Sequence, residues 1–189
     1  MFIEDQEHFD RWVLTFSPEL YVGIDTEFMR DKSFFPKLCL FQISSTNQSV
    51  VIDALKVNIE SLLEKLQEKK LLKIFFSGRQ DLEAVFKAYG RLLFPVFDLQ
   101  IACDFLAYRE NISFAEIVSE LCHITIDKQF QDRNWEERPL KEEVIQYACN
   151  DSKYLIPVYQ TLKRKLKARA LYQVICEESS FLLNLVDPR

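Results

Sequence analysis

The sequence predicts an α/β fold in which a mixed five-stranded sheet is flanked by helices. Three observations lead there. Short polar links separate three strand-like runs, residues 21–28, 38–43 and 50–53, as in an antiparallel meander. An apolar run at 72–76 then suits a strand buried on both faces. Beyond it strand and helix alternate, and alternation after a meander implies a mixed sheet covered by helices.

Each element has its own signal. Phe9, Val13 and Phe16 recur at helical spacing within residues 4–16, with Trp12 beside them. Ile59, Leu62, Leu63 and Leu66 give the same periodicity to 58–70. A helix is expected around 81–89, a short strand at 96–98, and helices from 99 onward, including one over 140–155 started by Pro139. With three glycines, Gly23, Gly78 and Gly90, the chain has few special turns. No repeat, low-complexity stretch or interdomain linker interrupts it.

At 189 residues the length suits one domain, and 48% hydrophobic residues, 16 of them Phe, exclude wholesale disorder. The net charge of −5 argues against a dedicated basic nucleic-acid binder, although cations bound to clustered acids reverse the local sign. Cys39, Cys103, Cys122, Cys149 and Cys176 are scattered and odd in number, which reads as buried thiols in a reducing compartment. Two histidines, His8 and His123, argue against a zinc site. The polar, acidic N-terminus is unlike a signal peptide, and no apolar run approaches the ~18 residues of a membrane span. The expectation is a cytoplasmic protein without a membrane partner.

Acidic residues form the candidate site. Asp25 and Glu27 sit two apart on the first strand, so both point to one face, as metal-facing acids or as strand-end acids meeting solvent. Asp81 follows the 72–76 strand, where open α/β sheets place ligands, though an acid there also stabilises a helix N-terminus. Tyr147 and Asp151, spaced i, i+4, share one helix face that Tyr154 extends; a polar edge of an amphipathic helix has the same spacing.

Taken together these pieces resemble the DEDD exonucleases. Residues 24–42, from Ile24-Asp25-Thr26-Glu27-Phe28-Met29-Arg30 through Phe35-Pro36-Lys37-Leu38-Cys39-Leu40-Phe41-Gln42, resemble the first motif of ribonuclease D. Residues 73–82, Lys73-Ile74-Phe75-Phe76-Ser77-Gly78-Arg79-Gln80-Asp81-Leu82, resemble the second, and residues 126–155 the third. The resemblance covers about residues 1–175. It implies a ribonuclease-H-like αβα fold and a 3′–5′ exonuclease releasing nucleoside 5′-monophosphates from single-stranded 3′ ends, with RNA favoured.

By matching position it makes Asp25, Glu27, Asp81 and Asp151 the ligands of two divalent cations, Mg2+ or Mn2+. Asp25 would bridge both ions, Glu27 and Asp151 would complete the shell of the ion holding the nucleophile, and Asp81 would act through water. Tyr147 would orient the attacking water, which places the chain in the tyrosine branch, since the sister branch carries His at that position. Many ribonuclease D sequences have His where this chain has Phe76. The longer relatives continue into helical RNA-binding domains; here residues 176–189 are expected to be a tail with no such domain appended. A DNA exonuclease of the Werner-syndrome helicase type and a catalytically silent binding module are the alternatives, and a homo-oligomer stays open.

Other residues have two readings each. Phe28 and Phe35 fit base stacking or the core. Gln42 fits a substrate contact or a strand cap. Arg138, which follows Trp135 in the third segment, fits a phosphate contact or an ion pair with Glu136 or Glu142. Asp98 reads as structural. The basic run Lys163, Arg164, Lys165, Lys167 and Arg169 fits a nucleic-acid backbone or a solvated helix face.

Overall fold

Alternation along one strand organises the molecule. Strand β2 (Tyr21–Met29) sends Val22 and Ile24 into the core on one face of the sheet and turns Gly23, Asp25 and Glu27 to the other. The structure, a computed structural model, describes residues 1–18, 20–30, 35–127, 129–130 and 133–187. Residues 31–34 of the first ribonuclease D-like segment, residues 128, 131 and 132 of the third, and residues 188–189 of the expected tail lie outside the described residues.

The meander forms as expected: β2, β3 (Lys37–Ser44) and β4 (Ser49–Asp53) are antiparallel neighbours. On the other side of β2, β5 (Leu72–Phe75) and β6 (Val96–Asp98) run parallel to it. The sheet has six strands rather than five, in the order β1-β4-β3-β2-β5-β6. The added strand, β1 (Phe2–Ile3), lies parallel to β4. Two residues are too few to show a period, so no sequence pattern announces it; buried Ile3 and a bond from Val51 N to Met1 O at 2.9 Å hold it.

Helices α1 (Gln6–Thr15), α2 (Glu60–Leu66) and α3 (Arg79–Tyr89) cover the face that carries Val22 and Ile24. Helices α4 (Leu99–Phe105), α5 (Phe114–Cys122) and α7 (Leu155–Ala168) pack with Ile74 and Phe97, and α6 (Glu142–Lys153) lays Val144 and Ala148 on Leu40 and Val51. The layering is therefore αβα. Helix α8 (Tyr172–Val186) runs through the expected boundary at 175/176 and joins both layers through Ile175 and Val186, so residues 176–186 are packed rather than trailing.

The helix expected over 140–155 is α6, which stops short of Leu155. It breaks at Tyr154 between α6 and α7, and Pro157 supplies the reason: its ring conflicts with the carbonyl four residues back, at Lys153, and it donates no N–H. Nor does Pro139 start α6, whose N-cap is Lys141. All five cysteines are free. Among the described residues no helix is long and apolar enough to cross a membrane.

Arg138 shows how the segment before α6 is fastened. Its Nε and one terminal nitrogen donate to the two carboxylate oxygens of Asp53 at 2.6 and 2.7 Å, and further bonds reach Trp135 O, Glu137 O and Cys39 O. The ion pair read from the sequence forms with a different acid: the guanidinium holds Asp53, and Glu136 pairs with Lys37. Asp53 is wholly buried, so Arg138→Ala should strand its charge and cost about 3–5 kcal/mol. Urea unfolding checks this; a loss under about 1 kcal/mol would mean that the pair is not held as described.

Candidate metal-binding active site

Helix α6 is seated on the face that carries Asp25 and Glu27 by a close approach at Gly23. A Cβ there would lie 2.6 Å from Ser44 Oγ and 2.9 Å from Ser152 O. Ser44 Oγ itself donates to Ser152 O at 2.6 Å, tying β3 to the last turn of α6. With Ser152 held against the sheet, its neighbour Asp151 stands over β2. One carboxylate oxygen from each of Asp25, Glu27 and Asp151 then lies within 4.8 Å of the others. A bulge sits beside them: Glu27 pairs with Leu40 but Phe28 with Leu38, so Cys39 is the extra residue. Bulges sharpen the local twist and re-aim side chains next to sites of this kind.

Asp81 comes from the first turn of α3 and is brought beside the cluster without joining it. Its Oδ1 accepts from Thr26 N at 3.0 Å and from Thr26 Oγ1 at 2.6 Å, which ties it to the residue between the two strand acids. The turn before α3 is fixed in its turn by Asp98, which accepts from Ser77 N at 3.1 Å and Gly78 N at 2.8 Å. Asp98 is structural, as read from the sequence, and what it positions is the turn leading to Asp81.

Like charges in a buried place resist ionisation. Burial, then the carboxylates of Asp81, Asp151 and Glu27, push Asp25 well above the ordinary carboxylate range. Glu27 is raised by burial, then Asp151 and Asp81, with Arg133 opposing. Burial raises Asp151 to about 7, with Asp81 adding to it, and raises Asp81 to about 6 against the hydrogen bonds from Thr26. The Tyr147 hydroxyl stands beside Asp151 in the cavity wall, and burial followed by the surrounding carboxylates lifts its pKa above the usual value. Tyr147 therefore keeps its proton at neutral pH and acts as a donor. Its ring is stacked on Trp135 at 6.2 Å and 28° and meets the edge of Phe130 at 5.8 Å.

Asp25, Glu27, Asp151 and Tyr147 line a cavity of about 350 Å³ with Phe76, Phe114, Ser113 and Asp127 around it; Asp81 lies behind its wall. Phe76, named from the sequence, is thus present, packed 5.3 Å from Phe114. Phe28 is not: it faces the opposite core, with the Arg30 guanidinium 5.5 Å from its ring. Gln42 is wholly buried and does not line the cavity. Phe35 lines a separate groove, with Lys87 4.4 Å from its ring. In the basic run, Lys163 and Lys167 lie over the Tyr172 ring and Lys165 over Tyr108. Phe114 and Gly23 were not found from the sequence, because no spacing rule links Phe114 to the acids and a glycine within a strand has several readings.

A family model for 3′–5′ exonucleases matches residues 1–167. The chain belongs to this 3′–5′ exonuclease family. Among curated members, ribonuclease D of Bartonella henselae is 34% identical over 86% of this chain and 41% of its own length. Escherichia coli RNase D, described as an exoribonuclease involved in structured RNA processing, superposes with a TM-score of 0.87 at 27% identity, over 97% of this chain and 49% of that one. This exonuclease chain thus spans about half or less of the length of those two relatives. Brucella melitensis NrnC, solved with bound Mg2+, gives a TM-score of 0.78 at 28% identity over 87% of this chain and 82% of its own, and it has also been solved with pGG.

Two predictions follow from this geometry. Raised carboxylates stabilise the fold while protonated, so the contribution is complete below the ordinary value of 3.8 and is lost as pH rises through about 6 and about 7, the values of Asp81 and Asp151. Without divalent cations the melting temperature should accordingly fall over that window, and Mn2+ should restore it; a flat profile in chelator would contradict the raised values. Gly23→Ala should lift α6 off the sheet and, with every acid present, lower exonuclease turnover on the order of 10²-fold. Turnover equal to wild type would show that the contact is slack.

Proposed function

We propose that this chain is a metal-dependent 3′–5′ exoribonuclease that releases nucleoside 5′-monophosphates one at a time from RNA 3′ ends. The observation that carries the reading is the convergence of Asp25, Glu27 and Asp151 within 4.8 Å, with Tyr147 lining the same cavity. An all-carboxylate donor set suits hard divalent cations, and we take these to be two, Mg2+ or Mn2+, held by Asp25, Glu27 and Asp151 with Asp81 behind them. When bound, the cations offset the carboxylate charge, polarise the scissile phosphate and acidify a water.

The chain's own residues do the rest. Phe76 and Phe114 offer apolar surface to the terminal nucleoside. The protonated Tyr147 hydroxyl orients the attacking water, a role it fills better than that of general base because its pKa is raised. Water adds to phosphorus, the P–O3′ bond breaks, and the 3′ oxygen leaves with the shortened strand and takes up a proton. RNA is favoured by likeness to the Escherichia coli enzyme, and a short 3′ end by the modest cavity and the likeness to NrnC. The five free thiols support work in a reducing compartment, which we take to be the cytoplasm.

Matched RNA and DNA oligonucleotides labelled at the 3′ or the 5′ end, incubated with Mg2+, Mn2+ or chelator, test the reading. The 3′ label should leave first as a mononucleotide, only with metal, and faster from RNA. Release from the 5′ label first would overturn the polarity, and faster loss from DNA the substrate. Tyr147→Phe should lower the single-turnover rate about 10²–10⁴-fold, the range for positioned proton-handling groups, with little change in binding. An unchanged rate would make Tyr147 purely structural.

A further inference from the structure

Gln42 lies on β3 directly across from Asp25 on β2, and in an antiparallel pair such residues share a face with their Cβ atoms about 4.5–5.5 Å apart. Its side chain is wholly buried, and among the described residues neither Nε2 nor Oε1 has a hydrogen-bond partner. Buried amides almost always find partners, so an exception asks what group it serves. The surroundings narrow the answer. Across β4 its partner is Val51, which is apolar. Along β3 its same-face neighbours are Leu40, also apolar, and Ser44, whose Oγ donates to Ser152 O. Asp53, diagonal to it, is taken by Arg138. Asp25 is the group directly opposite with carboxylate lone pairs to share.

We propose that Gln42 is a positioning residue of the metal site, whose amide serves the carboxylate of Asp25 and holds it in orientation when Asp25 ligates a cation. The inference rests on the reading of Asp25 as a cation ligand. Carboxylates that bind metals are generally held from behind by hydrogen-bond donors, and loss of such a partner costs about 10–100-fold in metal affinity or activity. It also makes a distinction that a packing role does not. An amide unused in the metal-free fold can be replaced by an apolar group of like shape without loss of stability, whereas the metal-bound state needs it.

Gln42→Met and Gln42→Leu remove the amide while filling the same space. In chelator both variants should melt at or above the wild-type temperature, with unchanged circular dichroism. Mn2+ titrated against each, followed by calorimetry and by the rise in melting temperature, should show affinity weakened about tenfold or more, with kcat lowered more than KM is raised. Mn2+ affinity equal to wild type in a folded variant would overturn the inference. So would melting well below wild type in chelator for both variants, since the amide would then be at work in the metal-free fold. If the wild-type chain itself takes up no Mn2+ or Mg2+, it is the reading of Asp25 as a ligand that fails.

Discussion

The contact of α6 with the sheet at Gly23 sets the geometry on which the rest of the site depends. One missing side chain lets Ser44 bond the backbone of Ser152, and this brings Asp151 over a strand that already presents two acids. A helix one side chain further out would leave Asp25 and Glu27 as a pair and Asp151 as a surface acid. Leu155, just past the break at Tyr154, lies at the same contact, its Cβ 2.9 Å from where a Cβ at Gly23 would be.

Packing that brings three carboxylates within 4.8 Å works against their mutual repulsion. Burial and then repulsion raise Asp81 to about 6 and Asp151 to about 7, so protonation relieves the repulsion below that range, and Asp81 also takes two donors from Thr26. The same repulsion is what makes the place receptive to cations, which change the sign of the local field. Cations held there would let a chain of net charge −5 meet the anionic substrate of the proposed reaction.

Around the acids lies a supporting layer whose members work through one another. Arg138 fastens the segment before α6 to Asp53, Trp135 from that segment carries the ring of Tyr147, and Tyr147 stands beside Asp151. On the opposite side Asp98 fixes the turn leading to Asp81. Each outer group is buried or half-buried, so a change there reaches the site through packing, which interiors of native density transmit.

How much of this could be read in advance depends on how local each signal is. Period-two alternation placed Asp25 and Glu27 on one face, and the i, i+4 spacing joined Tyr147 to Asp151, because backbone geometry alone dictates both. The ribonuclease D-like segments brought in Asp81 and the αβα plan. Arg138 was misread because its partner, Asp53, is 85 residues away and no spacing rule spans that distance. Of the two readings of Phe28 it is the core one that holds, because alternation sends it to the opposite face from Glu27. The two-residue β1 is too short to carry a period, and Gln42 gives no sign in the sequence that it is buried without a partner. The sequence by itself determined which residues share a strand face or a helix face, since that follows from the repeat of the backbone. Which faces meet, how closely, and which polar groups are left without partners were decided by tertiary packing, where a single absent Cβ at Gly23 sets the distance between helix and sheet.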